Sequence, residues 1–405
     1  MSRSHCSSLS PHDEFWNEVN PDVDALDPIV SRHFGADCLD RKLLGDGAYG
    51  RAFLYTLSTG RQVVAKVILS VQPIIKTERE AASMLLVKEK TSVPVPDVYL
   101  FCSTVDNPVR AEWIVMESLQ GERFIDCFED LSYEKRYRTA ADLARFISPL
   151  FNITSSYSGS IFPGDWCKSL RYPAASNAKE GASPRRVLSG GTMDSVSGLC
   201  IGPIHDSAFL QYPNQVPPES CGRFTSDMEW MEAVAYFGIP GTRSTDIKTR
   251  YPYDKIVELF YVARQFERKS YSLLGTEIFH FSHGDLHDAK ILIDPETGAV
   301  TGLIDWEMAG FRPPWLAAVA SEWFNDDRRH ILIEGGCNLS ECTWRLEGFD
   351  DQRLRAFFRM ELWKNNELLY HHNVLGVEYR GFLREIMAKE EENTAGVWER
   401  RKPPG

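Results

Sequence analysis

The stretch Phe281–Asp294, F-S-H-G-D-L-H-D-A-K-I-L-I-D, followed by L-I-D-W-E from Leu303, constrains this chain more than any other part of it. Ile291–Asp294 and Val300–Ile304 are short apolar runs rich in β-branched residues. Pro295-Glu296-Thr297-Gly298 between them has turn chemistry, so the pattern predicts a strand–turn–strand element. If Asp294 faces Val300, antiparallel pairing sets residue 290 beside residue 304. The loop carrying Asp285 and the carboxylate of Asp305 then arrive at the same end of the element. Two carboxylates in one place repel, and a divalent ion shared with a phosphorylated ligand supplies a reason for them to converge.

A second signal lies early in the chain. Gly45-Asp46-Gly47-Ala48-Tyr49-Gly50 fits G-x-G-x-x-G, a pattern shared by dinucleotide-binding folds and by kinases. A dinucleotide fingerprint must open a helix. Here Arg51–Leu57 alternates as a strand and turns back at Ser58-Thr59-Gly60, so the glycines sit in a hairpin, where backbone amides can approach phosphate oxygens. An ordinary hairpin turn is the plainer alternative. Val64-Ala65-Lys66 follows on the next strand. An ammonium among apolar strand neighbours needs anionic partners if it is buried, whereas an edge strand would let it reach water. Thr77–Lys90 has helical periodicity, and Glu80 at its start has two readings: the Lys66 partner, ahead of Glu78, or the fourth residue of a Thr77-x-x-Glu80 capping box.

Composition narrows the class. The chain has 405 residues, 43% hydrophobic and 25% charged, with a net charge of −12. This is enough apolar material for a large core in one big domain or two lobes. The acidic balance argues against a nucleic-acid binder, which would show a basic stripe, and permits a cationic substrate. No run of about 18 apolar residues suggests a membrane span. The first residues lack the apolar core of a secretory signal. Nine cysteines without a C-x-x-C pair read as free thiols of a reducing compartment, the cytoplasm. Residues 1–37 read as a loosely held leader with at most one short helix. Residues 171–200, rich in Ser, Gly, Ala and Pro, read as a mobile surface insertion. Helices are expected over 133–151 and 253–274, and a strand over 112–119. The order, β-rich first and mostly helical after, gives an α+β class with two lobes.

The H-G-D-L-H loop at His283–His287 and I-D-W-E at Ile304–Glu307 together resemble the aminoglycoside phosphotransferase and choline kinase group of small-molecule kinases. Val93-Pro94-Val95-Pro96 and Met116-Glu117 match more loosely, and residues 223–232 are similar to a segment common in fungal members. The resemblance runs from about Leu43 to Ala318. It implies a bilobal protein-kinase-like fold, with a small β-rich lobe at 38–120 and a larger helical lobe at 121–405. By position it implies Asp285 as the group that orients the acceptor hydroxyl or takes its proton, and Asp305 as a Mg²⁺ ligand. Lys66, paired with Glu80, would hold ATP phosphates under Gly45, Gly47 and Gly50. Met116, Glu117, Ser118 and Leu119 would meet the adenine edge. His283 is expected to brace the loop, and His287 to scaffold it.

One position departs from the family pattern. Where the loop has its metal-ligating Asn, five positions after the Asp, this chain has Lys290. An ammonium has no acceptor for a metal, and at about 4 Å a charge pair is worth roughly 4 kcal/mol at an effective dielectric of 20. The resemblance implies ATP-dependent phosphorylation of a hydroxyl of a small molecule, impaired by Lys290 at the metal-ligand position. The alternative is a pseudokinase that keeps the fold as a nucleotide-binding or interaction module. Gly284 stands where a protein kinase would carry Arg, and no long activation segment follows Asp305, which favours a small acceptor over a protein.

Overall fold

A computed structural model describes residues 16, 19–47, 50–69, 75–163, 185–186, 199–210, 221–238, 254–264, 278–320, 324 and 349–400. They fall into two compact units, the first drawn from Met1–Glu89, Val95–Leu119 and Phe162–Cys200, the second from Lys90–Pro94, Gln120–Ile161 and Ile201–Gly405.

The first unit is built on an antiparallel sheet. After helix α1 (Leu26–Phe34) come β1 (Cys38–Gly47), β2 (Gly50–Leu57), β3 (Gln62–Ile68), helix α2 (Ile75–Lys90), β4 (Val98–Cys102) and β5 (Glu112–Glu117). The strand order is β1-β2-β3-β5-β4. Alternation in β3 buries Val63, Ala65 and Val67, one face of a pleated strand. Together with Tyr55, Leu57, Trp113 and Val115 they form a core that also takes in Trp16, Leu26 and Val30. The leader is thus packed over this stretch, not loosely held. Leu26 and Val30 share one side of α1, and Arg41 pins the helix through ion pairs with Asp24 and, at 2.7 Å, Asp27. Of the 171–200 segment, Arg185–Arg186 pairs with Leu100 and Phe101 on the open edge of β4; the reading of most of that segment as a mobile insertion falls outside the described residues.

The second unit is mainly helical and carries short sheets. In order it has β6 (Glu122–Arg123), α3 (Tyr133–Phe151), β7 (Thr154–Ser155), α4 (Asp227–Gly238), β8 (Phe279–Ser282), β9 (Ile291–Ile293), β10 (Val300–Leu303), β11 (Gly310–Arg312), α5 (Phe349–Asn365) and α6 (Glu367–Arg400), with 254–264 also helical. Strand β8 lies between β11 and β7, and β9 between β10 and β6. A β-rich first unit and a helical second one make the α+β class expected from the sequence. Trp230, Met231, Phe260, Trp315 and Tyr379 form the core among α4, 254–264, α6 and the turn after β11.

One expectation from composition fails. Cys38, Cys102, Cys127 and Cys221 are free, but Cys200 is disulfide-bonded. A disulfide depends on the spacing of two Cα atoms in the fold, which the sequence does not display.

Candidate active site

In the first unit, the glycine hairpin and the lysine strand meet at Gly50. Register pairs Gly47 with Gly50, Asp46 with Arg51 and Gly45 with Ala52; Ala48 and Tyr49, at the tip, fall outside the described residues. A Cβ on Gly50 would come within 3.2 Å of Lys66 Cε and 3.3 Å of the Val67 carbonyl, whereas one on Gly45 would meet nothing within 4 Å. Gly50 therefore lets the lysine stem run directly beneath the hairpin. The Asp46 carboxylate accepts from Arg51 Nε at 2.9 Å across the strands.

Lys66 Nζ donates to Glu80 Oε1 at 2.8 Å and to Oε2 at 3.0 Å, with side-chain exposures of only 12% and 1%. The capping-box alternative is overturned. Helix α2 begins at Ile75, so Thr77 lies inside it, and its hydroxyl donates to Glu112 Oε2 at 2.5 Å. Glu78 accepts instead from Ser103 Oγ at 2.8 Å. Polar residues in the first half of this helix are buried because the ends of β3, β4 and β5 offer them partners. At the end of β5, Met116 is buried and Glu117, Ser118 and Leu119 are half-buried. The Glu117 amide donates to the Asp97 carbonyl at 2.8 Å, and its carboxylate accepts from the Asp97 amide at 3.2 Å.

In the second unit, β9 and β10 pair Ile291 with Leu303 and Leu292 with Gly302, then slip by one so that Ile293 meets Val300. Below the strands the Ile304 amide donates to the Lys290 carbonyl at 3.0 Å, the juxtaposition of 290 and 304 that the register predicts. The turn is fixed internally by Asp294, which accepts from the Glu296 amide at 2.9 Å and the Thr297 hydroxyl at 2.7 Å. These bonds hold its carboxyl below the usual range. Helix α3 anchors the element: Asp142 accepts from the Val300 amide at 3.1 Å, and Thr139 donates to the Gly298 carbonyl at 2.7 Å.

At the end of this element Asp285, Lys290 and Asp305 meet. Lys290 Nζ donates to Asp285 Oδ2 and lies 2.8 Å from Asp305 Oδ2. Burial opposes the charge on Lys290, but Asp305 and Asp285 outweigh it and raise the pKa of the ammonium above its ordinary value. Asp305 adopts a left-handed backbone, φ +68°, uncommon outside glycine and tolerated by Asp. It opens the short helical turn Trp306–Met308.

His283 is 2% exposed, and its Nε2–H donates to the Ile304 carbonyl at 3.0 Å. Its ring lies 4.5 Å from that of Trp306, whose Nε1–H donates to the Leu303 carbonyl at 2.9 Å. Burial, aided by the Lys290 charge, lowers the His283 pKa to about 4. A neutral imidazole thus ties the loop to the turn after β10. His287 caps a short turn by accepting from the Ala289 amide at 3.3 Å. Gly284 has φ +83°, and a Cβ there would lie 2.2 Å from the Met308 carbonyl and 2.4 Å from Arg312 Nη2. An Arg could not stand at this position.

Sequence reading missed the group behind the loop. Arg312, 1% exposed, donates from Nε to Asp206 Oδ2 at 2.6 Å and from Nη2 to the His205 carbonyl at 3.1 Å and the Met308 carbonyl at 2.5 Å. The available signal was an arginine set between Phe311 and Pro313 in an apolar run, a position that buries a side chain. Its acceptor, 106 positions earlier, had no such mark. Asp227 and Arg264 form a second buried pair, 2.6 Å apart.

The donor set does not fit a metal ion held between Asp285 and Asp305. The residue that would complete such a site is Lys290, which offers no lone pair and whose ammonium already contacts both carboxylates.

Residues 263–356 match the family model of APH, the phosphotransferase enzyme family. That APH segment contains Asp285, Lys290 and Asp305, so the resemblance expected from the sequence is met over the loop and hairpin that carry it. The chain is also 23% identical over 387 residues to a subtelomeric hrmA-associated cluster protein of Aspergillus fumigatus, covering 86% of this chain and 74% of that one. It is 25% identical over 131 residues to altered inheritance of mitochondria protein 9 of Debaryomyces hansenii, covering 30% and 21%. Among solved structures it is similar to macrolide 2'-phosphotransferase type I, with TM-score 0.46, 13% identity and coverage of 95% and 98%. It is similar too to a thermostable mutant of aminoglycoside phosphotransferase APH(4)-Ia in ternary complex with AMP-PNP and hygromycin B, with TM-score 0.44, 15% identity and coverage of 93% and 96%.

Proposed function

We propose that this protein transfers the γ-phosphoryl group of ATP to a hydroxyl of a small molecule. The observation that carries the reading is the convergence of Asp285 and Asp305 at one end of the β9–β10 element, inside the APH-matching segment. Asp285 takes the acceptor hydroxyl proton, which develops as the phosphorus–oxygen bond forms. Lys66, oriented by both oxygens of Glu80, holds the α- and β-phosphates, with Gly45, Gly47 and Gly50 giving backbone amides close access. Met116, Glu117, Ser118 and Leu119 receive the adenine edge. Lys290 holds Asp285 and Asp305 in place as a fixed positive charge. Magnesium, when it accompanies ATP, screens the phosphate charge; no role between the two aspartates is assigned to it. The acceptor is small, and the acidic surface suits a cationic one. Among the described residues no helix is long and apolar enough to cross a membrane.

An ATP-consumption screen with Mg²⁺ and Mn²⁺ against aminoglycosides, choline, ethanolamine, sugars and ketosamines tests chemistry and acceptor together. Acceptor-dependent ADP release that disappears in Asp285→Asn is expected. ATP binding without turnover for any acceptor would instead favour the second reading, a nucleotide-binding pseudokinase. The direct contact of Lys290 with Asp285 gives that reading its support, since the ammonium already engages an oxygen of that carboxylate.

A further inference from the structure

We infer that Lys290 is a tethered cation: its ammonium takes the place between Asp285 and Asp305 where a divalent ion would bind, so the chain assembles this carboxylate pair without that ion. The inference deepens the phosphotransferase reading, on which it rests for the identity of the two carboxylates.

Three observations support it. First, the ammonium reaches both side chains at once, contacting Oδ2 of Asp285 and Oδ2 of Asp305. A cation between two carboxylates offsets their repulsion, and the Lys290 ammonium supplies it. Second, the lysine cannot readily withdraw. Its amide donates to the His287 carbonyl at 2.8 Å and its carbonyl accepts from the Ile304 amide at 3.0 Å. Its side chain is only 11% exposed. An arriving metal ion would have to leave this ammonium buried beside it without a counter-charge, which is costly. Third, the chemistry of the position is inverted. A carbonyl or carboxylate oxygen at residue 290 would add a metal ligand, whereas an ammonium only donates. The surrounding backbone is meanwhile the same strand entry that the β9–β10 register demands. The substitution thus changes the cation without changing the scaffold.

The consequence is specific to this chain. A divalent ion added without nucleotide gains no site at Asp285 and Asp305, and one residue change creates that site. The experiment titrates Mn²⁺ into the full-length protein and follows free Mn²⁺ by electron paramagnetic resonance. Wild type, Lys290→Asn, Asp305→Asn and the Lys290→Asn/Asp305→Asn double variant are compared. Lys290→Asn is expected to bind one Mn²⁺ at least about tenfold more tightly than wild type, and the double variant to lose that gain. Wild-type binding as tight as that of Lys290→Asn would overturn the inference, as would wild-type binding that vanishes in Asp305→Asn. Should Lys290→Asn not fold, Lys290→Met keeps the apolar stem. It is expected to melt below wild type without metal and to regain the difference in Mn²⁺; a melting temperature indifferent to Mn²⁺ would contradict the inference. The Mn²⁺ pattern seen in a protein that phosphorylates no acceptor would support the tethered cation while removing the kinase reading.

Discussion

A lysine between two aspartates and a glycine with no room for a methyl group set the terms of the loop between β8 and β9. At roughly 4 kcal/mol per contact at an effective dielectric of 20, the two Lys290 contacts offset a desolvation cost of several kcal/mol. The carboxylates, 38% and 29% exposed, are screened by water, which trims the gain. The outcome is a fixed arrangement more than a large contribution to stability. Gly284 is fixed by sterics instead. Gly284→Ala is expected to destabilise the protein by about 2–3 kcal/mol, through backbone strain at positive φ and overlap with the Met308 carbonyl, read as a fall in denaturation midpoint. In the first unit, Glu80→Gln removes one member of a buried ion pair. The expected cost is about 3 kcal/mol, with weakened ATP affinity by equilibrium binding and no change in the far-ultraviolet circular dichroism of the folded state.

At the scale of elements, one buried guanidinium on β11 ties together the His205–Asp206 segment, the Met308 turn and Ser282 of β8. Arg312→Met leaves Asp206, its side chain 5% exposed, without its cationic partner. It should cost about 3–5 kcal/mol, whereas the double variant Asp206→Leu/Arg312→Met should recover much of that loss; chemical denaturation of the three variants checks this. Sequence alone displayed the elements that have a period or a turn signature. Helix α3 spans the residues its pattern marks, and β9–β10 sets residue 290 beside residue 304 as expected, although a slip of one pairs Val300 with Ile293 and not with Asp294. The Lys66–Glu80 pair was open to a rival because a helix start moves by two residues without changing the pattern; with Ile75 as the first residue, Thr77 turns inward to Glu112. Asp206 and Arg312 escaped because nothing local links residues so far apart. The position of the Lys290 ammonium escaped for a different reason: residue type declared the charge, but which carboxylates it meets depends on the path of the loop between His283 and Lys290. A short amphipathic helix in a terminal stretch, such as the one that carries Leu26 and Val30, gives little sign of whether a sheet awaits it.

For the whole molecule, the buried histidines of the second unit set the acid limit of stability. His372 is lowered to about 3, through burial and then the charges of His280, Arg264 and His371. His280 is lowered by burial, against a hydrogen bond to the Phe151 carbonyl at 2.6 Å. Both are neutral in the fold. Below the ordinary histidine value of 6.5 the unfolded chain binds protons that the folded chain does not. Their contribution is complete above pH 6.5 and is lost as pH falls; for His372 the loss continues toward pH 3, at about 1.4 kcal/mol per pH unit. His372→Phe should flatten this acid limb in melting experiments from pH 7 to 4. A variant with the wild-type slope would assign the acid sensitivity elsewhere.

The account turns on Asp285 accepting a proton while ATP gives up its terminal phosphoryl group. Single-turnover transfer from γ-labelled ATP to a hydroxylated acceptor found in the screen, compared between wild type and Asp285→Asn, measures that step. Phosphorylated product from wild type, formed at least about a hundredfold more slowly by a folded Asp285→Asn protein, is the predicted result. Equal rates from the two proteins would contradict the account.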